Sequence, residues 1–297
     1  MTLEQLRIFV AVAERLHVTQ AAQALGLTQS AASASIAALE ASTGVTLFYR
    51  VGRRVELSAE GSVFLAEARE VLRSARHAET VLRELSGLLT GKLAIMGSQT
   101  TATYWLPPLY RAFRAAYPGI AIESSIGNTA QVSAAVLAGQ VELGFVEGVV
   151  AMPAIRQSPV ANDRLVLVVG GEHGWAAERA LEAEEFRRLP WVLRESGSGT
   201  RTATEALLAS RGLTVADVEV SLELSSNEAV RVAVEAGAGA SVLSTLVVGT
   251  ALKAGVLQAA ACALPGRQFT LLRHRERRLS RAAQAFIATL PRWGAHS

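Results

Sequence analysis

The sequence predicts a small α+β domain at the N-terminus, then a long helix, then a larger α/β domain built from two similar lobes. Three observations carry this. Short helical segments punctuated by glycine lead into an arginine-rich hairpin before Ser58. A proline-free run from Ser58 to Ser86 then repeats apolar residues in steps of four and three. Beyond it, strand-like and helix-like segments alternate, and one stretch is echoed 98 residues later.

The bulk numbers fit several packed units. A chain of 297 residues with 50% hydrophobic and 19% charged residues excludes an extended disordered protein. The net charge of +3 is too mild to argue for a polyanion partner by itself, so the placement of the cations decides. A single cysteine, Cys262, excludes an internal disulfide framework and fits a reducing, cytoplasmic setting. Its apolar surroundings favour a structural thiol over a reactive one. No basic segment followed by an apolar core opens the chain, so no export signal is expected. The uncharged stretch Ala236 to Leu252 carries three glycines and several hydroxyls. It reads as a buried strand and helix rather than a membrane span.

Leu3, Leu6, Phe9, Val10, Val12 and Ala13 form the apolar face of a first helix ending near His17. Thr19 is the expected cap of a short second helix, closed by Gly26. Thr28 caps a third, with Ala32, Ile36 and Leu39 inward and Gln29, Ser30, Ser33 and Ser35 outward. Small polar residues at the start of the second helix of such a pair suit entry into the DNA major groove, where Gln29 can pair with an adenine edge. Leu47 to Leu57 then reads as a hairpin around Gly52 and Arg53, the wing of an α+β winged helix-turn-helix. Its Arg50, Arg53 and Arg54 suit phosphate oxygens beside the groove. Each feature alone also describes an ordinary small helical domain with a solvated polar face; their order makes the case.

In the long helix, Phe64, Ala68, Val71, Ala75, Ala78, Leu82 and Leu85 form one narrow stripe, with Arg69, Glu70, Arg73, Arg76, Glu79 and Glu84 off it. Such a stripe needs a second helix, and a homodimer is the expectation; packing on the chain's own domain is the alternative.

In the last two-thirds, Val132, Ala135, Val136, Ala138 and Gly139 recur as Val230, Ala233, Val234, Ala236 and Gly237. Each copy starts with small polar caps, Asn128 and Thr129 or Ser226 and Asn227. A second pair of turns shares the offset: Ser98-Gln99-Thr100-Thr101, and Ser196 through Thr200 and Arg201. Helix N-termini with hydroxyls bind small anions, so two lobes that aim these turns at one crevice can hold a carboxylate, sulfate or phosphate, with Arg201 balancing its charge. Helix capping and, for Arg201, a structural ion pair are the competing roles.

The five histidines, at 17, 77, 173, 274 and 296, lack metal-ligand spacing. Ser198 lacks the glycine of a nucleophile elbow, and the glycine-rich run lacks a P-loop lysine. Neither an enzyme nor a cofactor is expected.

The run Leu6-Arg7-Ile8-Phe9, Ala21 to Leu25, Thr28 to Ser33, Leu39-Glu40, Gly44, Leu47 to Arg50 and Leu57 to Gly61 resembles the N-terminal signature of LysR-type transcriptional regulators. Ala34 and Ser35 depart from that pattern, so no base contact is carried over there. Glu195 to Arg201 and Ser226 to Ala229 resemble the same family's bilobal effector-binding domain, of periplasmic-binding-protein type. The resemblance implies a winged helix-turn-helix over 1–57 and a dimerising linker over 58–88. It implies an effector domain over 89–297, with lobe I at 89–161 and 266–297 and lobe II at 162–265. Phe269 to Leu272 would rejoin the first lobe's sheet. The implied partners are double-stranded promoter DNA, a small and anionic effector, and a second copy of the chain, with pairs of dimers forming a homotetramer. RNA polymerase is a further candidate partner; a membrane is not. A free solute-binding protein would share the bilobal domain but needs export and no helix-turn-helix.

Overall fold

The structure is a computed structural model that describes residues 1–52, 54–85, 90–148, 150–172 and 183–291, with backbone alone at 76, 77, 80, 81 and 83–85. Arg53, residues 86–88 of the expected linker, His173, His296 and the side chains of Arg76, His77, Glu84 and Leu85 therefore lie outside it. Two compact units divide the chain, Met1–Leu88 and Leu89–Ser297.

The first unit opens with α1 (Leu3–Arg15), fixed by a reciprocal capping box between Thr2 and Gln5. It ends at Leu16, which takes a left-handed conformation at φ 51°. A residue with a Cβ adopts that region at a cost of about 1 kcal/mol. The Leu16 carbonyl accepts the Val55 backbone N–H at 3.2 Å, which ties the end of α1 to the hairpin. In α2 (Val18–Ala24) the N-cap is His17, whose Nδ1 accepts from the Gln20 N–H. The cap expected at Thr19 is thus displaced by two residues, because an imidazole nitrogen serves as acceptor where the helix begins earlier. Gly26 follows at φ 69°, and Thr28 caps α3 (Gln29–Thr43) by accepting from the Ala31 N–H at 3.2 Å.

The hairpin consists of β1 (Phe48–Val51) and β2 (Arg54–Leu57), paired in antiparallel register from Phe48↔Leu57 to Val51↔Arg54. The Glu40 carboxylate accepts the Leu47 and Phe48 N–H groups at 2.7 and 3.1 Å, joining α3 to the hairpin.

Ser58 then starts the 27-residue α4 (Ala59–Leu85), its hydroxyl accepting from the Gly61 N–H and donating to the Thr46 carbonyl. A Cβ on Gly61 would lie 2.2 Å from the Leu47 carbonyl oxygen, so glycine permits the helix to press against the chain before the hairpin. The stripe on α4 is not one uniform seam. Ala68 is buried and Phe64 packs with Leu6, Phe9, Leu39 and Leu47 of the chain's own first unit, the Phe9 and Phe64 rings 4.9 Å apart. Farther along, Val71 and Leu82 stand 41% and 69% exposed. The apolar face of α1 is wide enough to take the first steps of the stripe and too short to reach the rest.

The second unit is α/β and bilobal. Its first lobe holds β3 (Gly91–Ser98), a π-helical turn at Thr101–Trp105 running into α5 (Leu106–Ala116), β4 (Ile120–Gly127), α6 (Thr129–Ala138), β5 (Leu143–Glu147) and β6 (Ile155–Asp163). Its second lobe holds β7 (Leu165–Gly170), α7 (Ala183–Arg188), β8 (Pro190–Arg194), α8 (Gly199–Ala209), β9 (Glu219–Leu224), α9 (Asn227–Glu235), β10 (Ser241–Ser244), α10 (Thr245–Lys253) and β11 (Leu257–Ala259). The chain returns through β12 (Arg267–His274) and ends with α11 (Arg281–Thr289).

The first lobe's five-stranded sheet has the order β4-β3-β5-β12-β6, and β12 lies antiparallel to both β5 and β6. Phe269 to Leu272 thus rejoin that sheet. The second lobe's strands form β10-β7-β11 and β8-β9, joined by a bridge between Trp191 and Ala240. Ala236 to Leu252 form β10 and most of α10, as the glycines and hydroxyls imply, and no described helix is long and apolar enough to cross a membrane. Separate apolar clusters fill the lobes, one around Phe113, Phe145, Phe269 and Phe286, another around Phe186, Trp191 and Leu207. Cys262 is half-buried beside the latter.

Candidate functional site

In the first unit, Thr28, Gln29 and Ser30 are exposed and Ser33 half-buried along the first turns of α3, while Ala32, Ile36 and Leu39 hold the opposite face inward. Gln29 Nε2 donates to Ser33 Oγ at 2.8 Å, and the Thr28 and Ser30 hydroxyls share a hydrogen bond of 3.1 Å. The polar edge is therefore internally bonded, so a partner that docks there has to exchange these bonds for its own. Arg50 and Arg54 are exposed on the two hairpin strands.

In the second unit, four strand-to-helix turns meet between the lobes. Two belong to the first lobe: the turn after β3, with Ser98, Thr100 and Thr101, and the start of α6, where Asn128 forms a capping box with Gln131. The other two are the starts of α8, capped by Ser198, and of α9, capped by Ser226. Hydrogen bonds cross the gap on both sides. Asn227 Nδ2 donates to Thr100 Oγ1 at 3.0 Å, and Gln99 bonds the Asn227 N–H and the Ser225 carbonyl at 2.8 Å each. Opposite, Asn128 Nδ2 donates to Glu195 Oε1 at 3.2 Å, and the Ala130 N–H to the Gly197 carbonyl at 3.3 Å. Gly197 has φ 85°, and a Cβ there would come 3.2 Å from that of Ala130.

Ser98 and Thr101 bond each other at 2.9 Å, and Thr101 also donates to the Phe145 carbonyl, so they brace the first turn from within. Thr200 is buried and accepts from Arg267 at 3.3 Å; Ser196 is exposed at the rim. Arg201 is engaged elsewhere, donating to Glu205 and Glu223 at 2.7 and 2.8 Å. Burial alone would lower its pKa, but these two carboxylates outweigh that and raise it.

Two residues that sequence reading did not assign to the crevice, Arg194 and Glu147, stand beside it. Arg194, with a side chain 2% exposed, donates to both Glu195 oxygens at 2.7 and 2.9 Å and to Asn227 Oδ1. Ser198 is buried as the α8 cap. Glu147, 5% exposed at the end of β5, receives no side-chain hydrogen bond from the described residues, and its Cβ would touch one placed on Gly199 at 3.1 Å. Thr129 Oγ1, also against Gly199, is buried without a partner. Burial would raise the Glu195 pKa; the Arg194 guanidinium and the Asn128 amide prevail and hold it below the usual carboxylate range. The signal for Arg194 was a lone cation closing the apolar run Trp191-Val192-Leu193 just before a glycine-serine turn.

A helix offered to a DNA groove in one unit and a ligand crevice in another define a ligand-responsive DNA-binding regulator. Residues 3–62 match the model of the bacterial regulatory helix-turn-helix protein, lysR family, and residues 86–295 that of the LysR substrate binding domain. The chain belongs to the LysR family of transcriptional regulators. It is 37% identical over 289 residues to the uncharacterized HTH-type transcriptional regulator YeiE of Escherichia coli K12, covering 97% of this chain and 96% of that one. It is 33% identical to the HTH-type regulator CbbR of Rhodospirillum rubrum, covering 86% and 83%. Among solved structures, full-length CbnR complexed with its target DNA matches with a TM-score of 0.71 at 23% identity, over 98% of this chain and 99% of that one. The CcmR regulatory domain of Synechocystis PCC6803, in complex with 2-PG, matches with a TM-score of 0.61 at 26% identity, over 67% and 95%.

Proposed function

We propose that the protein works in the cytoplasm, without catalysis, as a homodimer or a pair of dimers that grips an interrupted inverted repeat in a promoter and responds to a small oxoanion held between the lobes. The parts divide as 1–57 for DNA, 58–88 for the linker, and 89–297 for sensing. In the DNA-binding part, Thr28, Gln29, Ser30 and Ser33 face base edges, and Arg50, Arg53 and Arg54 hold phosphates. The exposed row Val71, Ala78 and Leu82 is the stretch of α4 that takes a second copy.

The observation that carries the effector reading is the meeting of four helix N-termini around a buried arginine. Ser98, Thr100, Thr101, Asn128, Thr129, Ser196, Thr200 and Asn227 line or brace that crevice, and the cationic role falls to Arg194 in place of Arg201. The buried Thr129 hydroxyl, which has no hydrogen-bond partner among the described residues, leaves a polar group for the effector to bond. The 2-PG complex of the CcmR domain supports a small molecule as ligand of this fold. Binding shifts the assembly only through unequal affinity for its states, and the readout is altered spacing of the DNA-reading heads and altered DNA bending. The helix-turn-helix match disfavours a free solute-binding protein.

Thermal melting against small metabolic anions tests the reading, because a ligand of the folded state raises the transition temperature. A flat panel overturns the anion site.

A further inference from the structure

The cleft cation already has a ligand, and the ligand is part of the chain. Arg194 closes β8 with its guanidinium almost wholly buried, and the next residue, Glu195, returns both carboxylate oxygens to it in a two-pronged pair at 2.7 and 2.9 Å. The Glu195 side chain is 25% exposed and is held from the opposite lobe by Asn128, so it stands between the buried guanidinium and the space between the lobes. Two parallel oxygens on the fork of an arginine are what a free carboxylate, sulfate or phosphate offers as well.

We propose that Glu195 is a tethered stand-in for the anionic effector: the effector takes its place on Arg194, releasing Glu195 from both Arg194 and Asn128. The inference rests on the cleft reading above. It adds a molecular event, since the carboxylate that leaves is also one of the bonds holding the lobes together. Around it, the unpartnered Thr129 hydroxyl and the backbone at Gly199 offer contacts that Glu195 does not use. An effector that fills those contacts gains over the stand-in; one that reaches only Arg194 does not. The cleft thereby binds simple anions more weakly than an effector that fills those contacts.

A tethered competitor lowers apparent affinity by the fraction of time it occupies the site. The test uses the full-length protein, with inorganic sulfate and inorganic phosphate as separate probes in isothermal titration. Glu195→Gln is expected to bind at least one of them about tenfold more tightly than wild type, as removal of such a competitor requires. Arg194→Gln is expected to lose that binding. Glu223→Gln removes the same charge from Arg201 instead and is expected to match wild type. Should Glu195→Gln fold poorly, Glu195→Asp keeps the charge while shortening its reach, and a gain in the same direction is expected.

Wild-type binding with no gain in either Glu195 variant overturns the stand-in and leaves the cleft reading intact. An equal gain in Glu223→Gln assigns the effect to overall charge and also overturns it. No binding by wild type, Glu195→Gln or Glu195→Asp overturns both. Binding by a Glu195 variant alone supports the stand-in in its strongest form.

Discussion

Arg267 Nη1 lies 3.3 Å from Thr200 Oγ1, so a side chain on the strand that returns from the second lobe touches the first turn of α8, at the crevice between the lobes. The same guanidinium pairs with Asp163, which is directly opposite in the register of β6 and β12, and Asp163 accepts from Ser244 at the start of α10 at 2.6 Å. Cleft, crossover strands and second lobe thus share one buried polar cluster.

Asp163→Ala leaves that guanidinium buried without its counter-charge, which costs about 3–5 kcal/mol. Urea denaturation of the full-length protein is expected to show the transition at clearly lower concentration, with Asp163→Asn less affected. An unchanged midpoint would show that the crossover does not depend on this pair.

Thr100→Ala and Thr200→Ala are expected to abolish the melting shift caused by an effector while DNA affinity without effector persists. Fluorescence anisotropy with promoter DNA separates the two effects. Weakened DNA binding in the absence of effector would mark these hydroxyls as structural.

At the DNA surface, Arg50→Ala and Arg54→Ala are each expected to weaken binding to every sequence and to reduce the slope of log affinity against log salt by about 1. Gln29→Ala is expected to cost about 1–3 kcal/mol of discrimination and to leave the salt slope alone. Titrations at several salt concentrations, on specific and scrambled duplexes, check both. A hairpin variant with wild-type salt slope would remove the hairpin from the interface.

Glu195 contributes a pH signature. Its carboxyl is held below the usual carboxylate range by Arg194 and Asn128, so its stabilisation is present above that range and disappears as pH falls through the lowered pKa. In buffers without oxoanions, wild type is expected to melt above Glu195→Gln at pH 6, and the gap to narrow as pH falls below the usual carboxylate range. A gap independent of pH would mean that the ion pair adds nothing.

Gly61→Ala places a Cβ 2.2 Å from the Leu47 carbonyl oxygen, and the backbone there cannot yield as a flexible side chain would. Overpacking of this kind costs about 1–3 kcal/mol. A lowered melting temperature is expected, and none would show that α4 can shift without loss.

The helix-turn-helix was legible because its determinants are local: a cap at Thr28, a left-handed glycine at Gly26 and two strands around Gly52 leave their mark within a few residues. The four turns of the crevice were legible for the same reason. Arg194 and Glu147 were not, because a charge at the end of an apolar strand acquires its role from segments far along the chain, as Asn128 and Asn227 do for Arg194 and its partner. The stripe on α4 shows the converse. Periodicity reveals that Phe64 and Leu82 share a helix face, but which apolar surface covers each is settled by the length of α1.

The close seat of Gly61 on Leu47, with Phe64 against Phe9 and the Arg69–Glu14 ion pair of 3.0 Å beyond it, makes α4 a rigid arm of the reading head. Its 27 residues span about 40 Å, so each degree of tilt at one end carries the other by about 0.7 Å. An arm clamped at its root has no slack to absorb such a tilt. Any tilt of its far end is therefore handed on undiminished to α3 and the hairpin, which move with the arm as one body.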